Sequence, residues 1–289
     1  MTIRQSMIQT ASKAGPILAE SADLVADFIL GKLNDDGGFA GRSSRSDLYY
    51  TVFALESLIA LGREFPIDRV RDYVAGHDPA SLDLVHLGCL VRCMKDLNMQ
   101  IDTERVIDEL MRYRSLDGGY NNIKNSPQAT TYGCFIAAGV YQDLGVGIPD
   151  RQGIAQSLRS LMMDDGSYAN DAEMKAGASP STAAAITLNR YLGQEILPKS
   201  IDWLLARIHP NGGFTAIPGL PMADLLSTAT VLHALLCASV NLENDDKEKC
   251  LDFIDMMWSG KGGFCGSLAD GAVDCEYTFY GLMAIGHLS

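Results

Sequence analysis

Apolar positions along the chain recur at helical spacing, and the segments that carry them are of two alternating kinds. The first is amphipathic. DTERVIDELMRYR (102–114) and DKEKCLDFIDMMW (246–258) place apolar side chains three and four residues apart with charged ones between them, which predicts a surface helix with one face on a core. The second kind is nearly uncharged beyond its opening turn: YGCFIAAGVYQDLG (132–145), TAAAITLNRYLG (182–193), TATVLHALLCASV (228–240). A helix apolar on most sides has to be buried on most sides. Helices of this second kind are predicted near residues 46–61, 81–97, 127–144, 180–192, 222–239 and 273–287. They hold Val, Ile and Thr, but strand alternation is absent, which excludes an α/β sheet.

A repeated turn separates the two kinds. Asp36-Gly37-Gly38-Phe39 returns as Asp117-Gly118-Gly119-Tyr120, Asp165-Gly166-Ser167-Tyr168, Asn211-Gly212-Gly213-Phe214 and Lys261-Gly262-Gly263-Phe264. The aromatic spacings of 81, 48, 46 and 50 residues leave room for one degenerate unit in the first gap, where GHDPASLDLVHLGCL keeps a helix start and no Gly-Gly-aromatic. Each unit is therefore an amphipathic helix, a Gly turn, a polar loop and a buried helix, about six times over. Six buried helices screened by six amphipathic ones fit a closed ring. An open array needs polar capping repeats, whereas the last helix runs to the end of the chain as FYGLMAIGHLS. The predicted fold is all-α, an α/α toroid (α6/α6 barrel) in a single domain over residues 1–289, with 1–15 a disordered or peripheral segment.

Charge and cysteine content narrow the function classes. The chain carries 36 Asp+Glu against 23 Lys+Arg, a net charge of −13, and has no basic run, so nucleic acid is not an expected partner. No stretch of about 18 uninterrupted apolar residues is present to span a membrane. The first residues lack a signal peptide's apolar centre and cleavage pattern, so a cytoplasmic location is expected. The seven cysteines are scattered, mostly within apolar runs, and read as reduced thiols packed as small hydrophobes.

The pattern helix–DGGF/Y–loop–D/S-x-x-x-T–helix resembles the repeat of the protein prenyltransferase β subunits and of the squalene and terpene cyclases, over about residues 20–288. For prenyltransferases the resemblance implies a zinc held by Asp, Cys and His at the fifth and sixth buried helices, a basic cluster around a prenyl diphosphate, and a partner α subunit. The chain departs from that pattern. The fifth helix opens as Asp224-Leu225-Leu226-Ser227-Thr228, with Leu226 at the family's Cys. The sixth opens as Asp274-Cys275-Glu276-Tyr277-Thr278, with Tyr277 at the family's His. Ala129 stands at an expected Arg, and no cation follows Phe214 in TAIPGLP. The Asp-x-Asp-Asp acid motif of class II cyclases is absent, its nearest echo being Asp274-Cys275-Glu276.

Candidate chemistry gathers at the openings of the buried helices. Asp47, Asp83, Asp224 and Asp274 open four of them, where a carboxylate caps free N–H groups or, converging at one mouth, could hold a cation. Asp274, Glu276 and Tyr277 form the catalytic candidate. Asp224, Asp274 and Cys275 form the candidate metal set for zinc or magnesium. Arg42 and Arg45 in the first Gly loop are the candidate anion binders, along with Lys124 in the third loop. Tyr49, Tyr132 and Phe279 are candidates to line an apolar cavity for an isoprenoid or polyprenyl chain. His86 and His233 read as core histidines with satisfied hydrogen bonds. Three functions stand open: an isoprenoid-binding protein of this superfamily, as a divergent prenyltransferase; a catalytically silent toroid that binds a lipid or a protein; and a class II-type cyclase with Glu276 or Asp274 as its acid.

Overall fold

The fold is taken from a computed structural model that describes residues 1–289. In chain order the helices are α1 (Ile3–Ser12), α2 (Ala14–Leu18), α3 (Ser21–Leu30), α4 (Leu48–Ala60), α5 (Ile67–Ala75), α6 (Leu84–Asp96), α7 (Thr103–Met111), α8 (Thr131–Leu144), α9 (Arg151–Ser160), α10 (Ser179–Leu192), α11 (Pro198–Leu205), α12 (Leu225–Cys237), α13 (Asn244–Met256) and α14 (Cys275–Leu288). The uncharged segments are the inner ring. α4, α6, α8, α10, α12 and α14 each pack on the next, and α14 packs back on α4. The fold is the predicted all-α toroid. One addition is a short antiparallel hairpin, β1 (Phe264–Ser267) with β2 (Asp270–Asp274), in the loop before α14.

The repeated turn is a small hydrogen-bonded device. In the first copy the Asp36 carboxylate accepts from the Gly38 N–H at 3.0 Å, and Leu33 and Phe39 form an isolated bridge. The turn aromatic is buried, and its N–H donates to a Thr hydroxyl in the first turn of the following inner helix. The distances are Phe39 to Thr51 3.0 Å, Tyr168 to Thr182 2.9 Å, Phe214 to Thr228 2.9 Å and Phe264 to Thr278 3.2 Å. In the third unit Cys134 takes the Thr position, and its sulfur accepts from Tyr120 at 3.3 Å. Thr51, Thr228 and Thr278 donate in turn to the carbonyl four residues back. The Thr therefore ties the turn to the helix and buries no unpaired polar atom.

The glycines close the outer ring. Gly37 has φ +89° and Gly262 φ +96°, values an L side chain rarely adopts. A Cβ on Gly37 would collide with the Arg69 backbone of α5, and one on Gly262 with the Leu24 backbone of α3. The sixth turn is thus seated against the first outer helix, and ring closure is written into backbone contact as well as into the inner helices.

The inner helices run parallel, since like ends meet. His86 of α6 reaches Asp47 at the start of α4 (3.3 Å), and Arg92 reaches Glu56 one helical stretch further along each. The expectation of a disordered or peripheral segment over residues 1–15 is corrected: residues 3–12 form α1, which lies across the C-terminal ends of the inner helices. Arg4 pairs with Asp96 of α6 and with Asp143 of α8. Thr2 accepts from Tyr191 near the end of α10 through its carbonyl (3.4 Å). Gly286 of α14 abuts the Thr10 backbone so closely that a Cβ would collide. The physical reason is a capped, amphipathic helix (the Thr2–Gln5 capping box) whose buried Ile3 and Ala11 close one end of the ring. No helix is long and apolar enough to cross a membrane.

Candidate functional site

The ring encloses a central cavity of about 410 Å³, open toward the N-terminal ends of the inner helices and floored by Met7 of α1. Helical spacing decides who lines it. On α14, Glu276, Tyr280 and Met283 fall on one stripe, as do Leu226, Thr230 and His233 on α12. Tyr49 of α4, Tyr132 and Phe135 of α8, and Ala184 and Thr187 of α10 complete most of the wall. No Lys or Arg faces this space. A side cavity of about 90 Å³ shares Tyr49, Tyr132, Phe135 and Tyr280 with it and is bounded by Arg4 and Arg92. Both arginines are engaged, Arg4 as above and Arg92 in a bidentate pair with Glu56 at 2.9 and 2.6 Å. Glu56 itself has no exposed surface.

Glu276 is the acid of the cavity. Its carboxyl is pushed above the ordinary value of 4.5 chiefly by burial; the Tyr49 hydrogen bond and Arg42 pull the other way, and Asp274 adds to the rise. The Tyr49 hydroxyl donates to it at 2.6 Å and is itself pushed up by burial. Tyr132, pushed up to about 12 by burial, keeps 40 % of its surface accessible because that surface faces the cavity. Tyr49 also packs edge-on to Tyr50 and Phe53. The mouth is therefore aromatic, with one carboxyl held toward its neutral form.

Of the sequence candidates, Glu276, Tyr49 and Tyr132 reach the cavity, and the others have different work. Asp274 has no exposed surface. It caps α14 by accepting from the Tyr277 N–H at 2.9 Å and pairs with Arg42 Nε at 3.0 Å. Tyr277 lies under the Arg42 guanidinium, 5.6 Å from its ring centroid, and against Gly266. Phe279 is wholly buried between Phe53 and Tyr280. Arg42 spends its donors on Asp270 (2.7 Å) and Asp274, pinning the β1–β2 hairpin to the first Gly loop, and those bonds push its pKa up. Arg45 is an exposed loop residue outside both cavities. Lys124 stacks on Tyr113 at 5.0 Å.

The candidate metal set is not drawn together. Asp224 caps α12, accepting from the Ser227 N–H and hydroxyl, each at 2.7 Å. Cys275 points into the core, where burial pushes its thiol up to about 12, away from the thiolate that binds metal. No group of three His, Cys, Asp or Glu side chains able to hold a metal ion is present. The residues do not fit the zinc that the resemblance implies.

Sequence reasoning missed the closed end. His233 Nδ1 lies 3.2 Å from His287 Nε2, while His233 Nε2 is buried without a partner. The expectation of a satisfied core histidine holds for one nitrogen only. Burial lowers His233 to about 4 and His287 well below its usual 6.5, with His233 and Lys13 adding to the effect. The signal was in the sequence: residues 276, 280, 283 and 287 share one helical face, as do 226, 230 and 233.

The chain matches the family described as the prenyltransferase alpha-alpha toroid domain over residues 9–76, 80–194 and 181–288. No curated protein sequence matches it. Among solved structures it is similar to Candida albicans protein geranylgeranyltransferase-I complexed with GGPP, at 14 % identity and TM-score 0.69, covering 90 % of this chain and 89 % of that one. It is also similar to a variant of the type II terpene cyclase MstE from Scytonema in complex with geranylgeranyl dihydroxybenzoate. There the identity is 14 % and the TM-score 0.68, over 95 % and 97 % of the two chains. A protein from Actinoplanes superposes with a TM-score of 0.61 at 16 % identity, over 93 % and 98 %. At these identities the likeness is one of fold.

Proposed function

The chain belongs to the prenyltransferase alpha-alpha toroid domain family, and on that footing we propose that its central cavity takes an uncharged isoprenoid chain. The observation that carries the reading is a cavity of about 410 Å³ walled by aromatic and aliphatic side chains, with a single carboxyl and no cation. That volume lies in the range of pockets that enclose one small ligand. A diphosphate inside it would be a buried, unpaired polyanion, which is strongly disfavoured. Arg4, Arg92 and Arg42 are already neutralised by carboxylates. A divergent prenyltransferase acting on a prenyl diphosphate is therefore the less supported reading.

A second reading is favoured by Glu276. A carboxyl kept toward its protonated form in an apolar cavity suits a general acid. In this reading the Glu276 O–H adds its proton to an alkene carbon of the bound chain, leaving a carbocation. Tyr132 and Tyr280 line the same cavity, and an aromatic ring whose face meets the cation would stabilise it. A C–H bond beside the cationic carbon then breaks, its electron pair forming the new alkene and its proton passing to water, and Glu276 regains a proton from solvent.

Thermal denaturation with ligands tests both. Farnesene, farnesol and geranylgeraniol should each raise the melting temperature by several degrees, whereas farnesyl and geranylgeranyl diphosphates should not. Saturation at about 100 times the dissociation constant contributes about 2.7 kcal/mol to the folded state. A shift produced by the diphosphates alone would overturn the assignment. For the acid, E276Q should bind as the wild type does and lose turnover of a linear polyene; turnover retained in E276Q removes the second reading and leaves the first.

A further inference from the structure

We propose that the mouth of the ring is a docking face for a lipid bilayer with neutral headgroups, so that the cavity takes its isoprenoid from the bilayer rather than from water. The proposal rests on the cavity being an isoprenoid site and names the surface that delivers the ligand to it.

The fold sets four loops around that mouth. Residues 121–129, 169–177, 215–223 and 265–273 each run from a turn aromatic to the cap of the next inner helix. Each loop is pinched at its base by backbone pairing. The Thr130 N–H donates to the Tyr120 carbonyl at 2.9 Å, Ala178 to Tyr168 at 3.2 Å and Asp224 to Phe214 at 3.2 Å, and Asp274 pairs with Phe264. The residues between therefore project at the N-terminal end of the inner ring, where the cavity opens. Two loops also lie across a neighbouring helix start. The Thr131 hydroxyl of α8 donates to the Ala169 carbonyl at 2.7 Å, and the Ser179 hydroxyl of α10 to the Thr215 carbonyl at 2.6 Å. Asn170, in the second of these loops, is itself part of the cavity wall.

These loops are 36 of the 289 residues, yet they hold six of the sixteen large hydrophobic side chains that the molecule exposes. They are Ile123, Met174, Ile217, Leu220, Met222 and Leu268, with exposures from 41 to 70 %. Single exposed apolar residues are ordinary, but a set gathered around one opening marks an interaction surface. The 215–223 loop is the extreme case. Its sequence, Thr-Ala-Ile-Pro-Gly-Leu-Pro-Met-Ala, has no charge, and Gly219, at φ +78°, bends it between Ile217 and Leu220.

Charge and composition select the partner. The chain has a net charge of −13, but these loops carry only Lys124 and Lys175 against Asp171, Glu173 and Asp270. Asp270 is paired with Arg42 at 2.7 Å. The face is thus close to neutral on an acidic molecule. It suits zwitterionic headgroups, whereas an anionic surface would repel the rest of the chain. Surfaces that recognise a protein are anchored by Trp, Tyr and Arg, and the four loops contain none. Aliphatic side chains of this kind enter the headgroup boundary by burying apolar area. The ligand argues the same way. An uncharged isoprenoid resides in the bilayer, and a mouth seated there passes it to the cavity with its apolar surface kept from water.

Sedimentation of the full-length protein with phosphatidylcholine vesicles tests the face. The wild type should cosediment equally at low and high salt and gain nothing from added anionic lipid. Combining Ile217→Ser, Leu220→Ser and Met222→Ser should weaken vesicle binding about tenfold or more. It should leave the melting temperature and the affinity for farnesol in solution unchanged. Loading of geranylgeraniol from the vesicles should slow in the same variant. Ile17→Ser, Leu24→Ser and Leu251→Ser, on α2, α3 and α13, should leave vesicle binding as it is. Leu220→Trp removes no apolar surface, and its added emission should be quenched by brominated phosphatidylcholine; that of Leu251→Trp should not. The proposal is overturned by a wild type that stays in the supernatant, by binding that needs anionic lipid or fails in salt, by a triple serine variant that binds or loads as the wild type does, or by an unquenched Leu220→Trp. A wild-type dimer that the serine substitutions dissociate, with no vesicle binding, overturns it as well, since the face then joins two copies. In all these cases farnesol binding in solution leaves the cavity reading standing. Vesicle binding with no isoprenoid binding overturns the cavity reading and the delivery route with it, and leaves the docking face.

Discussion

Two buried titratable groups stand at the ends of the same cavity, and their pH signatures have opposite sign. Glu276 is raised above 4.5 in the folded chain. The native state keeps a proton that the unfolded state releases, so the stability this group contributes is full below about 4.5 and is lost as pH rises through the folded value. His233 is lowered from 6.5 to about 4. The unfolded state takes up a proton first, so its contribution is full above 6.5 and is lost as pH falls toward about 4. Urea unfolding across pH 4 to 8 should therefore show E276Q gaining on the wild type as pH rises. His233→Gln should gain on it as pH falls below 6.5. Parallel profiles in either comparison would mean that the group is not buried as described. At this scale the sequence was partly legible. The Asp caps were recognisable because a carboxylate before an uncharged helix has one dominant use. Glu276 was singled out by its neighbours at a helix start; its place in the cavity wall, against the cap and Arg42 pairing of Asp274, then separated the two, which the sequence could not do. The engagement of Arg42 with Asp270 and Asp274 depends on a hairpin of two strands, four and five residues long, that pair only because a turn brings them together, and no local pattern announces it.

At the scale of elements, the repeat was readable because four of the six units solve the same problem in the same way, with a Gly turn, a buried aromatic and a Thr that ties the two, and a fifth keeps the device with Cys134 for the Thr. The six inner helices fall within a few residues of their predicted ranges for that reason. α1 escaped because it belongs to no repeat. Its role follows from charges scattered over the chain, with Arg4 set against Asp96 and Asp143 at the ends of two inner helices. Those carboxylates are nearly buried, with side-chain exposures of 1 % and 2 %, and the Asp96 oxygen that does not meet Arg4 has no partner. Arg4→Ala leaves two buried acids facing each other across a missing cation. We expect a loss of about 3–5 kcal/mol, with the deficit concentrated at neutral pH and reduced in acid, where Asp96, whose pKa burial already pushes up, takes a proton. A loss below about 1 kcal/mol in equilibrium unfolding would show that α1 is an ornament rather than the floor of the ring.

At the scale of the whole molecule, ring closure creates the cavity, and no single element contains it. Twelve helices in two layers leave the axis of the ring to whatever the inward faces supply, and here those faces are too small to fill it. Ala183, Ala184 and Ser181 of α10 stand where larger side chains would meet those of α4 and α14. The same fold could therefore be a solid barrel or a cup, and only the sizes of a few inward residues decide. Helical periodicity does not carry that choice, which is why the sequence could name candidates to line an apolar cavity without showing that the cavity is there. The choice can be reversed by one substitution. Ala184→Trp adds a large apolar side chain into a space of about 410 Å³, so the strain of overpacking is small and filled apolar volume stabilises. The variant should melt at or above the wild-type temperature and lose the shift given by farnesol and geranylgeraniol. Retention of that shift at wild-type affinity would place the ligand elsewhere, on the rim or the outer layer, and would separate isoprenoid binding from the ring's centre. Loss of the shift with stability intact would tie binding to the cavity, because nothing else in the molecule changes.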